Sequence, residues 1–258
     1  MELIYFIVSL LASVIGGICG IGGGVIIKPT LDMLGVADLA TVGFLSSCTV
    51  LSMSAYNVGK SFADRSAVID TRTGTPLALG AAVGGIFGNK LFAWLKAGIG
   101  NTAGVAQALC LLLLTLGTLI YTVKKKTIRT HSVDGIGAAV AIGVALGTLS
   151  SFLGIGGGPF NLVVLHFFFG METKKAVSNS LYIILFSQAA NLAVTILSRA
   201  VPAFAPLELI LMILGGIGGG IIGKSVSRRL SGTTVDKLFI ALQSVIILIC
   251  VYNAAKFM

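Results

Sequence analysis

Apolar side chains run along this chain in eight long blocks, at about 3–36, 39–57, 75–95, 103–123, 135–170, 175–197, 206–223 and 235–253. Polar residues separate the blocks but do not alternate within them, so the pattern predicts helices rather than the strands of a barrel. Two blocks, 3–36 and 135–170, are too long for one membrane crossing. Each is interrupted near its middle by a glycine cluster, Gly20-Ile21-Gly22-Gly23-Gly24 in the first and Gly154-Ile155-Gly156-Gly157-Gly158 in the second. A glycine weakens a helix by roughly 1 kcal/mol relative to alanine, so four in five residues should break it. Within hydrocarbon, a break survives only where protein encloses it or where it lines a wet cavity. Two matching breaks in corresponding halves point to the binding site of a transporter.

Composition narrows the class. The chain has 258 residues, 56% hydrophobic and 10% charged, with mean hydropathy +1.02. No soluble core of this size absorbs so many apolar side chains, so this is an integral membrane protein. The net charge of +9 reads as basic loops that fix topology, and no nucleic-acid partner is indicated. Cys19, Cys48, Cys110 and Cys250 lie in apolar blocks without metal-ligand spacing, which argues against a zinc site or a disulfide framework. Residues 1–20 lack a basic start and run into the first glycine cluster, so they are expected to belong to the fold rather than to a removable signal. No Ser–His–acid set or HExxH is present, so no enzyme activity and no cofactor is expected.

The halves repeat at an offset of 134–135. Gly20–Gly24 matches Gly154–Gly158. The Ala40–Gly43 stretch matches Lys175–Ser178, ahead of Ser46 and Ser180. Gly80, Gly84, Gly85 and Gly88 match Gly215, Gly219, Gly220 and Gly223. Three matches in order indicate duplication, with residues 1–123 as repeat one, a basic linker at 124–134, and 135–258 as repeat two. The charge pattern then bears on how the glycine blocks meet the membrane. Were each block to cross once, the 18 Lys and Arg side chains would divide evenly between the two faces. Were each a hairpin returning to its own side, thirteen of them, including Lys60, Arg72, Lys124–Lys126, Lys224 and Arg228, would share one face. The Lys/Arg bias of membrane proteins favours the hairpins. The expected architecture is therefore an all-α polytopic membrane protein of two inverted-topology repeats. Each repeat is a glycine-tipped helical hairpin plus three transmembrane helices, about ten helices in all. Both termini should be extracytoplasmic and the linker cytoplasmic, in the cell membrane, with membrane lipid as a partner and a homo-oligomer left open.

At each tip the second hairpin arm begins just after the glycines, where helix N–H groups lack intrahelical partners and carry the positive end of the dipole. Glycine also lets a ligand approach the backbone. Together these suit a small oxyanion without any charged side chain, although such glycines also serve close helix crossing. The candidate substrate-binding residues are Gly20, Gly22, Gly23, Gly24, Gly154, Gly156, Gly157 and Gly158. To these are added Ser46, Ser47, Ser178, Asn179 and Ser180, hydroxyl and amide donors in otherwise apolar spans that could equally cap or cross-link helices. Lys28, four residues past the first cluster, either neutralises the anion or pairs with Asp32 at i,i+4. Gly80/Gly84/Gly88 and Gly215/Gly219/Gly223 have the spacing of close helix packing. His166 lies in the second hairpin, and Trp94 reads as an interfacial anchor.

The stretch GIGGGVIIKP ending at Pro29 resembles the first signature of the TauE/SafE sulfite-exporter family, also called TSUP. So do Ala176-Val177-Ser178-Asn179-Ser180-Leu181, Ile69-Asp70-Thr71-Arg72 and Gly219-Gly220-Ile221-Ile222-Gly223-Lys224. The resemblance covers essentially the whole chain in order. It implies a membrane transporter for small sulfur-containing anions (sulfite, sulfoacetate or other organosulfonates), usually in the direction of export. Readings from other classes are an anion channel, or a thiosulfate or sulfide carrier using Cys19 and Cys48.

Overall fold

The computed structural model describes residues 2–64, 69–100, 102–125, 127–155 and 157–257. Among them the chain forms ten α-helices: α1 (Glu2–Cys19), α2 (Gly24–Leu34), α3 (Leu39–Ala63), α4 (Thr71–Ile99), α5 (Thr102–Lys124), α6 (Ile136–Phe152), α7 (Gly158–Phe169), α8 (Thr173–Leu197), α9 (Pro206–Arg229) and α10 (Gly232–Phe257). Six of them, α1, α4, α5, α8, α9 and α10, contain stretches long and apolar enough to cross a membrane. The ends follow local chemistry. The Asp38 carboxylate accepts from the amides of Ala40 and Thr41 to start α3, and Asp70 accepts from Thr73 to start α4, each cap contributing about 1 kcal/mol. Gly35 and Gly170 end α2 and α7 in the left-handed region, with φ of 63° and 60°, where a Cβ is disfavoured.

Both glycine blocks are hairpins. In the first, the Tyr5 hydroxyl near the start of α1 donates to the Val36 carbonyl just past α2, at 3.2 Å. At the other end of this hairpin, a Cβ on Gly23 would stand 3.0 Å from the Ala12 carbonyl oxygen. In the second, the amides of His131 and Val133, ahead of α6, donate to Phe167 and Phe168 at the end of α7, at 2.7 and 2.8 Å. Each pair of arms therefore starts and finishes on the same side, as the charge pattern required. The arms are unequal, with α1 and α6 of 18 and 17 residues against α2 and α7 of 11 and 12.

The remaining pairings come in twos. α1 lies on α9 and α6 lies on α4; α3 lies on α9 and α8 on α4; α3 meets α8, and α5 meets α10. Exchanging the two halves turns α1 on α9 into α6 on α4 and α3 on α9 into α8 on α4, and returns α3 with α8 and α5 with α10 to themselves. Small residues make the closest crossings possible. A methyl on Gly84 or Gly88 would overlap the Val144 or Thr148 carbonyl of α6. One on Gly219 or Gly223 would overlap the Leu10 carbonyl or press on the Val14 carbonyl of α1. The register of these contacts also gives direction. α1 and α3 both run parallel to α9: Gly215 meets Phe6 and Gly223 meets Gly17, while Gly216 meets Thr49 and Gly220 meets Met53. α6 and α8 both run parallel to α4: Gly80 meets Val140 and Gly88 meets Thr148, while Thr75 meets Tyr182 and Asn89 meets Asn191.

Large apolar side chains cover the outside as well as the core, and polar ones are buried among them. Ser9, Thr49, Ser54, Asn179 and Ser180 are sealed inside, while Trp94 and Leu197 are 73% and 83% exposed. Leu3, Phe87, Leu113 and Leu248 also face outward. An apolar belt around a core holding hydroxyls and amides is what lipid solvent selects. The chain is a multi-pass membrane protein.

Candidate functional site

The first tip is built from three glycines in the left-handed region, Gly20, Gly22 and Gly23, with φ between 73° and 79°. The amides of Gly20 and Ile21 return to the Gly16 carbonyl at 2.8 and 3.1 Å and close α1. α2 then starts at Gly24 with no side chain capping it. The second tip has Gly154 and Gly157 at φ 67° and 113°, and α7 starts without a side-chain cap, with Pro159 in its first turn. Gly156 lies outside the described residues. Proline removes one of the amide donors that the first tip keeps.

The two tips touch. A Cβ on Gly24 would stand 3.1 Å from the Ile155 carbonyl oxygen and 3.4 Å from the Ser46 hydroxyl oxygen. Gly22 and Gly157 both face Ile184 of α8, and Gly158 faces Val25. Apolar side chains from α2, α3 and α8 thus fill the space around the meeting point. Ser180 donates to the Gly20 carbonyl at 2.5 Å, which ties α8 to the first tip. Lys28 crosses between the hairpins, its ammonium against Gly154, at the end of α6 where backbone carbonyls carry the negative end of the dipole. Among the described ion pairs none joins Lys28 to Asp32, and Asp32 Oδ1 is buried without a hydrogen-bond partner.

The other sequence candidates lie elsewhere. Ser47 donates to Gly43 within its own helix at 2.9 Å. Asn179 accepts from the Asp70 amide at 3.0 Å and donates to the Lys175 carbonyl at 2.8 Å, which fastens the start of α4 to α8. Ser178 lines a cavity. Cys19 is buried beside the first tip and Cys48 is half-buried on α3, both as free thiols. His166 meets the Tyr121 hydroxyl at 2.9 Å.

Open space lies on the linker side of the tips. A cavity of about 400 Å³ is walled by the ends of α1, α3 and α9 and the start of α8. Val177 forms part of its wall and packs on Gly20, whose Cβ would stand 2.7 Å from Val177 Cα. Lys174, Lys224 and Arg228 face it against a single carboxylate, Asp64. Arg228 and Lys60 both pair with Asp64, and those contacts hold its carboxyl below the usual range. Deeper in, Lys224 Nζ donates to the Asn57 carbonyl at 2.5 Å and to the Ser61 hydroxyl at 2.8 Å. Such a lining draws anions and repels cations. Sequence reasoning placed Arg228 only in the basic face, and Lys224 there and at the end of the Gly219–Lys224 signature, neither of them at the candidate site. Lys224 falling directly after the Gly219–Gly223 stretch of α9 was the signal that it lies on the packed face rather than in a loop.

Ten helices among the described residues, six of them long and apolar enough to cross a membrane, two glycine-tipped hairpins, and a basic cavity whose wall packs on one hairpin tip define a polytopic membrane transporter. The sequence profile of the sulfite exporter TauE/SafE family matches residues 5–250, and the chain belongs to that family. It is also 24% identical over 257 residues to the probable membrane transporter protein YunE of Bacillus subtilis (strain 168), covering 90% of each chain. No solved structure matches.

Proposed function

We propose that the protein is a secondary transporter that exports small sulfur-containing anions, among sulfite, sulfoacetate and other organosulfonates. The reading rests on one observation: the basic cavity is walled by Gly17 and by Val177, which packs on Gly20, and the Gly20–Gly24 tip touches the second one. A sulfur oxyanion entering from the linker side is drawn by Lys174, Lys224 and Arg228 toward Gly20. Its oxygens would then be taken by the uncapped amides of α2 around Gly22, Gly23 and Gly24, with Ser46, Ser180 and Lys28 beside them and Gly154, Gly157 and Gly158 opposite. Passage past Val50, Ile184 and Val25 needs the tips to part, by rocking of one half against the other.

The halves are read as inverted repeats, 1–123 and 135–258, joined by a cytoplasmic linker at 124–134, with both termini outside. Support comes from hairpins that return to their own side, from pairings that exchange with the halves, and from α1 and α6 running with opposite partners. The test is transport in proteoliposomes loaded with radiolabelled sulfite, sulfoacetate or methanesulfonate. Labelled anion should leave faster than from empty-protein vesicles, and unlabelled anion should compete. If no sulfur anion moves, and none raises the unfolding temperature of the purified protein, the substrate class is wrong.

A further inference from the structure

The repeat offset carries Asn57 onto Asn191 and Lys224 onto Asn89. The structure brings both pairs together in matching places, one at each end of the pseudo-symmetric core. On one side Asn89 donates to Asn191 and the two neutral amides close on each other. On the other side the partner is a cation, and it faces the cavity of about 400 Å³, within the range of small-ligand sites. Duplication thus produced two equivalent crossings, of which one became charged and hollow.

Two polar atoms at the hollow crossing have capacity left over. Lys224 has three N–H donors, of which two are used by the Asn57 carbonyl and Ser61. Asn57 is 3% exposed and lines the cavity, yet its Oδ1 has no hydrogen-bond partner. Its Nδ2 donates to the Met53 carbonyl at 3.0 Å, which fixes which end of the amide is oxygen. Lys224 and the unpartnered Asn57 amide oxygen thus belong to one cavity wall, joined through the Asn57 backbone carbonyl, a combination that suits a ligand with an anionic acceptor and a hydrogen-bond donor together.

We propose that Lys224 and Asn57 form an anion subsite on the linker side, selective for small monoanions that carry their own O–H or N–H. Ser61 holds the ammonium in place. Lys224 takes an oxygen of the sulfonate or other oxyanion head, and Asn57 Oδ1 accepts from the hydroxyl or amine of the same molecule. A simple alkyl sulfonate satisfies the lysine but leaves the asparagine oxygen unpaired, and binds more weakly for that reason. The subsite rests on the transport reading above only for the sulfur chemistry of its head group.

The experiment is equilibrium binding to the full-length protein in detergent, using a matched pair of probes, isethionate (2-hydroxyethanesulfonate) and ethanesulfonate. Glycolate and acetate serve as the carboxylate pair with the same difference. Wild type should bind isethionate at least 10-fold more tightly than ethanesulfonate. Asn57→Leu should bring that ratio close to one with ethanesulfonate affinity held within about twofold. Lys224→Gln should weaken both sulfonates at least 10-fold, and Lys224→Arg should restore most of the loss. Monodisperse elution of each variant checks folding, and if Lys224→Gln does not fold, the Asn57→Leu ratio decides. Equal binding of the two sulfonates by wild type, or an unchanged ratio in Asn57→Leu, overturns the subsite while leaving sulfur-anion transport standing. A preference for glycolate that depends on Asn57 and Lys224, with no sulfonate bound, supports the subsite and overturns the sulfur-anion reading. Displacement of isethionate by phosphatidylglycerol micelles shows a lipid headgroup site and overturns the proposal of a small soluble anion.

Discussion

Replacing Gly20, Gly35 and Gly43 with alanine, one at a time, separates backbone strain from close packing at the first hairpin tip. Gly43 sits inside α3 with nothing within 4 Å of a new Cβ, so alanine there should stabilise the protein by about 0.5–1 kcal/mol. Gly35 also faces open space, but its φ is +63°. Alanine there carries only the left-handed cost, about 1–2 kcal/mol. Gly20 has the same kind of backbone, φ +73°, and its Cβ would stand 2.7 Å from Val177 Cα and 2.9 Å from the Val177 oxygen. Backbone atoms of α8 cannot rotate away, so an overpacking cost of about 1–3 kcal/mol adds to the strain, for a total of about 2–5 kcal/mol. Reversible unfolding in mixed micelles should therefore rank Gly43→Ala above wild type, then Gly35→Ala, then Gly20→Ala. Transport should also fall in Gly20→Ala and stay near wild type in Gly35→Ala, because only Gly20 adjoins the cavity wall. If Gly20→Ala is no less stable than Gly35→Ala, the tip does not pack on α8 and the proposed path is wrong.

Lys125 Nζ lies 2.6 Å from Asp236 and 2.7 Å from Thr173, with both charged side chains mostly covered. Lys125→Ala should cost about 1.5–3 kcal/mol, and a double-mutant cycle with Asp236→Asn should return a coupling above about 0.5 kcal/mol; strict additivity would show the pair to be idle. The Asp64 carboxyl is held below its unfolded value near 3.9 by Arg228 and Lys60. The stability it contributes is therefore present above about pH 4 and lost as pH falls through the lower folded value. Unfolding midpoints of wild type and Asp64→Asn should differ at pH 6 and converge in acid, whereas a gap that widens below pH 4 would reverse the sign argument. Single cysteines in a cysteine-free background test the topology: Ser132→Cys and Ser231→Cys should react with an impermeant maleimide only from the cytoplasm, and Ala200→Cys only from outside. Labelling of Ser132→Cys and Ala200→Cys from one face would rule out the inverted arrangement.

Most of the architecture was legible in the chain because it is local. Apolar blocks fix where helices run, Asp38, Asp70, Gly35 and Gly170 fix where they start or stop, and the four glycines of each cluster fix where the two longest blocks must bend. That those bends are hairpins was readable from Lys and Arg placement, since charge reports the side of the membrane and not the contact partner. The i,i+4 glycines of α4 and α9 announced close crossings, but not that α4 crosses α6 and α9 crosses α1. Lipid is as apolar as leucine, so hydrophobicity alone does not choose between neighbours in a membrane. Side-chain direction was hidden for the same reason. Lys28 and Asp32 have the spacing of a helical pair, yet the lysine reaches across to Gly154, and Asn179 serves the start of α4. Lys224, one of many basic residues when read in line, meets Asn57 only because α9 lies along α3, 167 residues apart in sequence. Such a meeting depends on the packing of whole helices, which no window of sequence contains.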